Sequence, residues 1–193
     1  MDKNSECNVS WTRMKILESH SKKLIDDMVQ VAKHPNNGFT SHDIIMGFGL
    51  GQHSSKMYRA NYAFKAEIDM EYLDLLVHVK HIGAGKSFFI SDEPLGVYRE
   101  GVGISSQGNK VSILMAKTLM YLYRGNIDFK ESVNTRSLIQ LLVAIKYKNI
   151  KIAFIFFKLW IRTFCPKSMI NVLRFSKRNS IYKTSKGKKN VPR

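Results

Sequence analysis

Between positions 69 and 99 the alternation of apolar and polar residues changes period. Over DMEYLDLLVHVKHIG, residues Tyr72, Leu75, Leu76, Val79 and Ile82 recur at the three- and four-residue spacing of one helix face. Glu71, Asp74, His78 and His81 obey the same spacing and, at about 100° per residue, fall within an arc of roughly 80°. The pattern predicts an amphipathic helix with one packing side and one side presenting two carboxylates and two imidazoles. Asp69 stands at its start, where an acidic side chain caps free N–H groups and meets the positive end of the helix dipole. Gly83 and Gly85 end it. Positions 87–90 then read as a short buried strand, Asp92-Glu93-Pro94 as a turn, and 95–98 as a second short strand.

Upstream the periods are mixed. Val9, Trp11 and Ile16 predict an extended piece, broken by the polar run at 18–23. Leu24, Ile25, Met28, Val29 and Ala32 follow helical spacing, and 34–38 is a turn. Ser41 caps a short helix through Ile44, Ile45 and Met46, and 53–59 is a short strand. Downstream the pattern is helical throughout, with helices over 111–123, 135–146 and 149–164, the last stopped by Pro166. The stretch NIKIAFIFFKLWIRTF is shorter than the roughly 20 residues of a membrane span and holds Lys151, Lys158 and Arg162. Two readings of it stand: an interfacial helix with snorkelling lysines, or a buried packing helix.

The 193 residues, 44% hydrophobic and 24% charged, are enough for one globular core. Cys7 and Cys165 match no disulfide or metal spacing, which fits a reducing compartment, and the polar start MDKNSECNVS shows no signal peptide. The net charge of +16 is unevenly placed. Through Glu131 there are 15 acidic and 16 basic residues; beyond it there are 15 Lys or Arg and no acid. A segment of one sign implies an anionic partner, membrane or nucleic acid.

Three stretches carry candidate chemistry. The face with Glu71, Asp74, His78 and His81 reads as a general base or metal-binding surface, or as a solvated face with Asp74 and His78 paired one turn apart. Gly47, Gly49 and Gly51 give GxGxG with no strong strand before it, which excludes a dinucleotide fingerprint. Gly85-Lys86-Ser87 runs from helix into strand, the reverse of a P-loop.

Taken together, Asp69, Glu71 and Asp74, the apolar 88–90, the run DEPLGVYR at 92–99 and the Gly/Ser-rich 101–105 resemble the C-terminal half of family 2 glycosyltransferases of GT-A fold. HSSKMYR at 53–59 is similar to the strand those enzymes place before the acidic motif, and the resemblance covers roughly 39–107. It implies an α/β class with a partial GT-A-like fold of short strands and helices over 1–107; apolar periodicity adds an all-helical region over 108–165, a candidate for membrane association, and composition adds a basic, disordered tail over 166–193. It implies a sugar transferred from a nucleotide sugar to a cell-surface polysaccharide or lipid-linked acceptor. Glu71 is then the first candidate for general base, Asp69 the second and Asp74 the supporting third. His53, Ser54, Ser55, His78 and Arg99 fall to substrate binding, with Arg99 either facing the diphosphate or held in an ion pair.

The complete enzymes hold a divalent ion, Mn or Mg, on a DxD motif in an N-terminal donor-binding half. No DxD precedes the central stretch here, since Asp26-Asp27 sits in a helical pattern, and few residues precede Phe39. The chain therefore reads as an acceptor-side half, truncated or split from a separate N-terminal half and inactive alone. Its expected place is the cytoplasmic membrane face. The competing functions are a non-enzymatic basic protein binding anionic membrane or nucleic acid through 132–193, and a metal-binding protein.

Overall fold

The computed structural model describes residues 4–18, 21–26, 38–47, 55–60, 74–99 and 108–173. Within them the chain is mixed α/β. Strands β1 (Cys7–Leu17), β2 (Leu24–Asp26), β3 (Lys56–Tyr58) and β4 (Lys86–Arg99) form one sheet, with β1 in its middle. β1 is antiparallel to β2 and β3 and parallel to β4. Helices α1 (Ser41–Met46), α2 (Asp74–Ile82), α3 (Asn109–Gly125), α4 (Lys130–Lys146) and α5 (Ile150–Arg162) complete it, with a 3₁₀ turn at Ile127–Phe129.

Local chemistry accounts for most boundaries. Thr40 caps α1 in a reciprocal box with Asp43, one residue before the expected Ser41. Gly47, at φ 104°, closes it in the left-handed conformation that glycine adopts without a Cβ penalty. The Asn149 side chain caps α5 by accepting from the Ile152 N–H.

Two expectations from periodicity fail. Leu24 and Ile25 do not begin a helix: after the turn at Ser21 and Lys22 they pair with Leu17 and Ile16 as β2. Asp26 therefore ends a strand, although its neighbourhood still lacks DxD spacing. The turn expected at 92–94 is also absent. β4 runs unbroken, and its surplus residues become irregularities in register: Trp11 faces Phe89, Thr12 faces Ser91, Arg13 faces Pro94. Bulges are where a strand tolerates proline, because the ladder bond is already lost there.

One apolar cluster joins the layers. It contains Val9 and Trp11 of β1, Ile44 and Ile45 of α1, Leu76 and Ile82 of α2, Leu119, Val133 and Phe156. The helices after 108 thus share a core with the sheet. Asn134 of α4 ties them together: its Nδ2 donates to the Trp160 carbonyl and to Thr163 Oγ1, and its Oδ1 accepts from Cys165 N–H and Ser168 Oγ. Residues 167–173 are helical, and Ser168 is fully buried, so the expected disordered tail does not begin at 166. Positions beyond 173 lie outside the described residues.

Candidate functional site

The apolar stripe of α2 packs as its spacing predicts: Leu75, Leu76, Val79 and Ile82 are all buried. Its polar face does not hold together. Asp74 is exposed at the first turn, and His81 is half-buried with Nδ1 on the Val77 carbonyl at 2.8 Å and its ring 4.4 Å from that of Tyr58. His78 is fully buried, its Nε2 3.0 Å from Ser87 Oγ on β4. The reason is angular. At about 100° per residue His78 lies about 40° from both Asp74 and Ile82, on the border of the two faces. The return of β4 over that border decides in favour of the core. His78 is therefore a packing and hydrogen-bonding residue and leaves both the substrate-binding set and the metal-surface reading.

Asp74 instead works with β3. Lys56 and Tyr58 stand two apart on one face of that strand. Burial pulls the Lys56 ammonium down to about 8, and the Asp74 carboxylate opposes that shift. Burial pushes the Tyr58 hydroxyl up to about 12, and the same carboxylate adds to it. One acid at a helix start thus acts on two desolvated side chains.

Beside them a cleft of about 160 Å³ opens across the sheet, lined by Thr12 and Met14 of β1, Ser55, Lys56 and Met57, and Leu95 and Gly96 of β4. The end of the Met14 side chain lies over Gly96, 2.9 Å from where a Cβ would stand. Ser10, on the same side of β1 as Thr12, has a buried hydroxyl with no hydrogen-bond partner among the described residues.

Of the residues expected to bind substrate, Ser55 lines the cleft; Asp74, expected as the supporting acid, does not line it and bears on it electrostatically through Lys56. Arg99 is exposed at the end of β4, paired with Leu17 and three positions beyond Gly96, and is not among the residues that line the cleft. His53, Ser54, Asp69 and Glu71 lie outside the described residues. Lys56, Thr12 and Gly96 were not expected. The available signal was no more than a lysine inside an expected strand, in HSSKMYR. Among the described residues no three His, Cys, Asp or Glu side chains stand together to hold a metal. The chain matches no family model, and no curated protein or solved structure is similar enough to show kinship.

Proposed function

We propose that α2 and the sheet form the acceptor side of a glycosyl-transfer site, in a partial GT-A-like arrangement. One observation carries this reading. Ser55, which the resemblance assigns to substrate binding, lines an open cleft beside Lys56, and the carboxylate of Asp74, its supporting acid, opposes the burial-driven fall of the Lys56 pKa. A carboxylate takes the proton of an acceptor hydroxyl; its oxygen bonds to the anomeric carbon as the bond to the nucleotide diphosphate breaks. Glu71 is the first candidate for that carboxylate, ahead of Asp69, with Asp74 in support. Lys56 orients an acceptor oxygen or phosphate. The Mn or Mg ion such transfers use on the donor has no fitting ligand set among the described residues, and no step here runs through it. We place the chemistry at the cytoplasmic face of a membrane, where nucleotide sugars are supplied.

The test is binding of the full chain to an array of oligosaccharides, followed by calorimetry on the best ligand. One class of saccharide binds, and Lys56→Met weakens it about tenfold, the worth of one charged hydrogen bond. Absence of saccharide binding, or indifference to Lys56→Met, contradicts the reading. Where transfer is reconstituted with a donor-binding partner, Glu71→Gln lowers kcat by about 10²- to 10⁴-fold with donor affinity unchanged. Full rate in that variant, with loss in Asp69→Asn, moves the base to Asp69. A second reading, a non-enzymatic protein bound to anionic membrane, is favoured by the outer face of α5.

A further inference from the structure

α5 is apolar on two opposite faces. Ile152, Phe156 and Leu159 point into the core and are at most 4% exposed. Ile150, Phe154, Phe157 and Ile161, continued by Phe164 beyond the helix, recur at spacings of four, three, four and three. At about 100° per residue the four helical positions fall within roughly 60°, on the side opposite the buried set. Ile150, Phe154, Phe157, Ile161 and Phe164 are 83%, 57%, 44%, 53% and 47% exposed. Met169, Ile170 and Leu173 extend the exposed apolar surface through the next helical turns. The inner face supplies the core contacts, while the stripe residues stay about half exposed or more.

We infer that the outer stripe of α5 is a docking surface for an anionic lipid bilayer, which the helix enters lying flat. This rests on the membrane placement above, not on the transfer chemistry. Charge selects this occupant. Lys151, Lys158 and Arg162 are exposed and occupy the arc beside the stripe, and Lys148 and Lys167 stand beyond its two ends. Lys158 Nζ rests over the Phe154 ring, 4.3 Å from its centre, so a cation stands directly against the stripe. Such a border matches lipid phosphates above acyl chains. A second copy of the chain suits it less: a two-fold contact sets the patch against itself, and no Asp or Glu after Glu131 would neutralise the facing cations. Nucleic acid would leave the apolar stripe uncovered. No helix in the described residues is long and apolar enough to cross a membrane.

The experiment is sedimentation of the full chain with vesicles of phosphatidylcholine, pure or mixed with phosphatidylglycerol, across salt concentrations. Two variants are compared after a thermal melt confirms their fold: Phe154→Ser with Phe157→Ser, and Lys151→Gln with Lys158→Gln and Arg162→Gln. The native chain binds the anionic vesicles only, salt weakens binding, and the phenylalanine variant loses about tenfold or more. Trp160, 6.1 Å from Phe157 and 5.9 Å from Phe164 in ring centres, is quenched by brominated lipid, while core Trp11 is not. If the phenylalanine variant binds as the native chain does, the basic residues act alone and the stripe is not the docking face, though the membrane placement stands. If the native chain ignores vesicles, both fall. A dimer that the phenylalanine variant dissolves, without vesicle binding, assigns the stripe to a second copy and overturns the inference.

Discussion

Lys56 and Tyr58 share one cause and respond to pH in opposite directions. Both are desolvated, which disfavours the charged form: ammonium for lysine, phenolate for tyrosine. Below pH 8 both folded and unfolded chains hold the Lys56 proton, and the native state carries the cost of a buried cation. Between pH 8 and 10.5 the unfolded chain binds more protons, so this group makes stability rise with pH. Tyr58 acts above pH 10, where the unfolded chain loses a proton that the folded chain keeps to about 12, so stability falls there. Lys56→Met therefore stabilises the chain at pH 7 by about 3 kcal/mol, and the gain fades between pH 8 and 10. Urea unfolding at pH 7 and pH 10 measures it; a gain that does not change with pH places the ammonium in water.

The same scale shows what periodicity can and cannot read. Spacing found the buried stripe of α2 because helical geometry alone fixes which residues share a face. It misassigned His78 because a residue on the border goes to whichever element arrives there, here Ser87 on β4, a contact made in the fold and not in the helix. It missed Lys56 because desolvation depends on neighbours from β1 and α2.

Among the elements, α4 and α5 are held by a polar group at their crossing. Asn134 is fully buried and uses two donor and two acceptor positions on Trp160, Thr163, Cys165 and Ser168. Removing it leaves several buried groups unpaired, so Asn134→Ala should cost about 3 kcal/mol, or about 6–12 °C in Tm. Asn171→Ala loses one bond to Glu131 at a partly buried site and serves as the milder control. A loss below 1 kcal/mol for Asn134→Ala would mean water replaces the network. The helices were legible in the sequence because their apolar periodicity persists over several turns. β2 and the single β4 were not, because three residues carry little period and because Pro94 signals a turn unless a bulge absorbs it.

At the scale of the molecule, one core supports two surfaces of different character. The sheet face carries a cleft with a desolvated lysine and a nearby acid, while α5 turns apolar residues and cations outward. Charge asymmetry was legible from composition, since every acid lies at or before Glu131. Which side of α5 faces out was not, because both apolar faces obey helical spacing and only packing against α4 and α3 tells them apart. The most direct test of the account is a ¹H–¹⁵N NMR titration of the full chain with the best-binding oligosaccharide. The account predicts amide shifts clustered at Thr12, Ser55, Lys56, Met57 and Gly96, extending to Asp74 and leaving Arg99 and α5 unmoved. Shifts confined to Arg99 or to α5, or none at saturating saccharide, would contradict it.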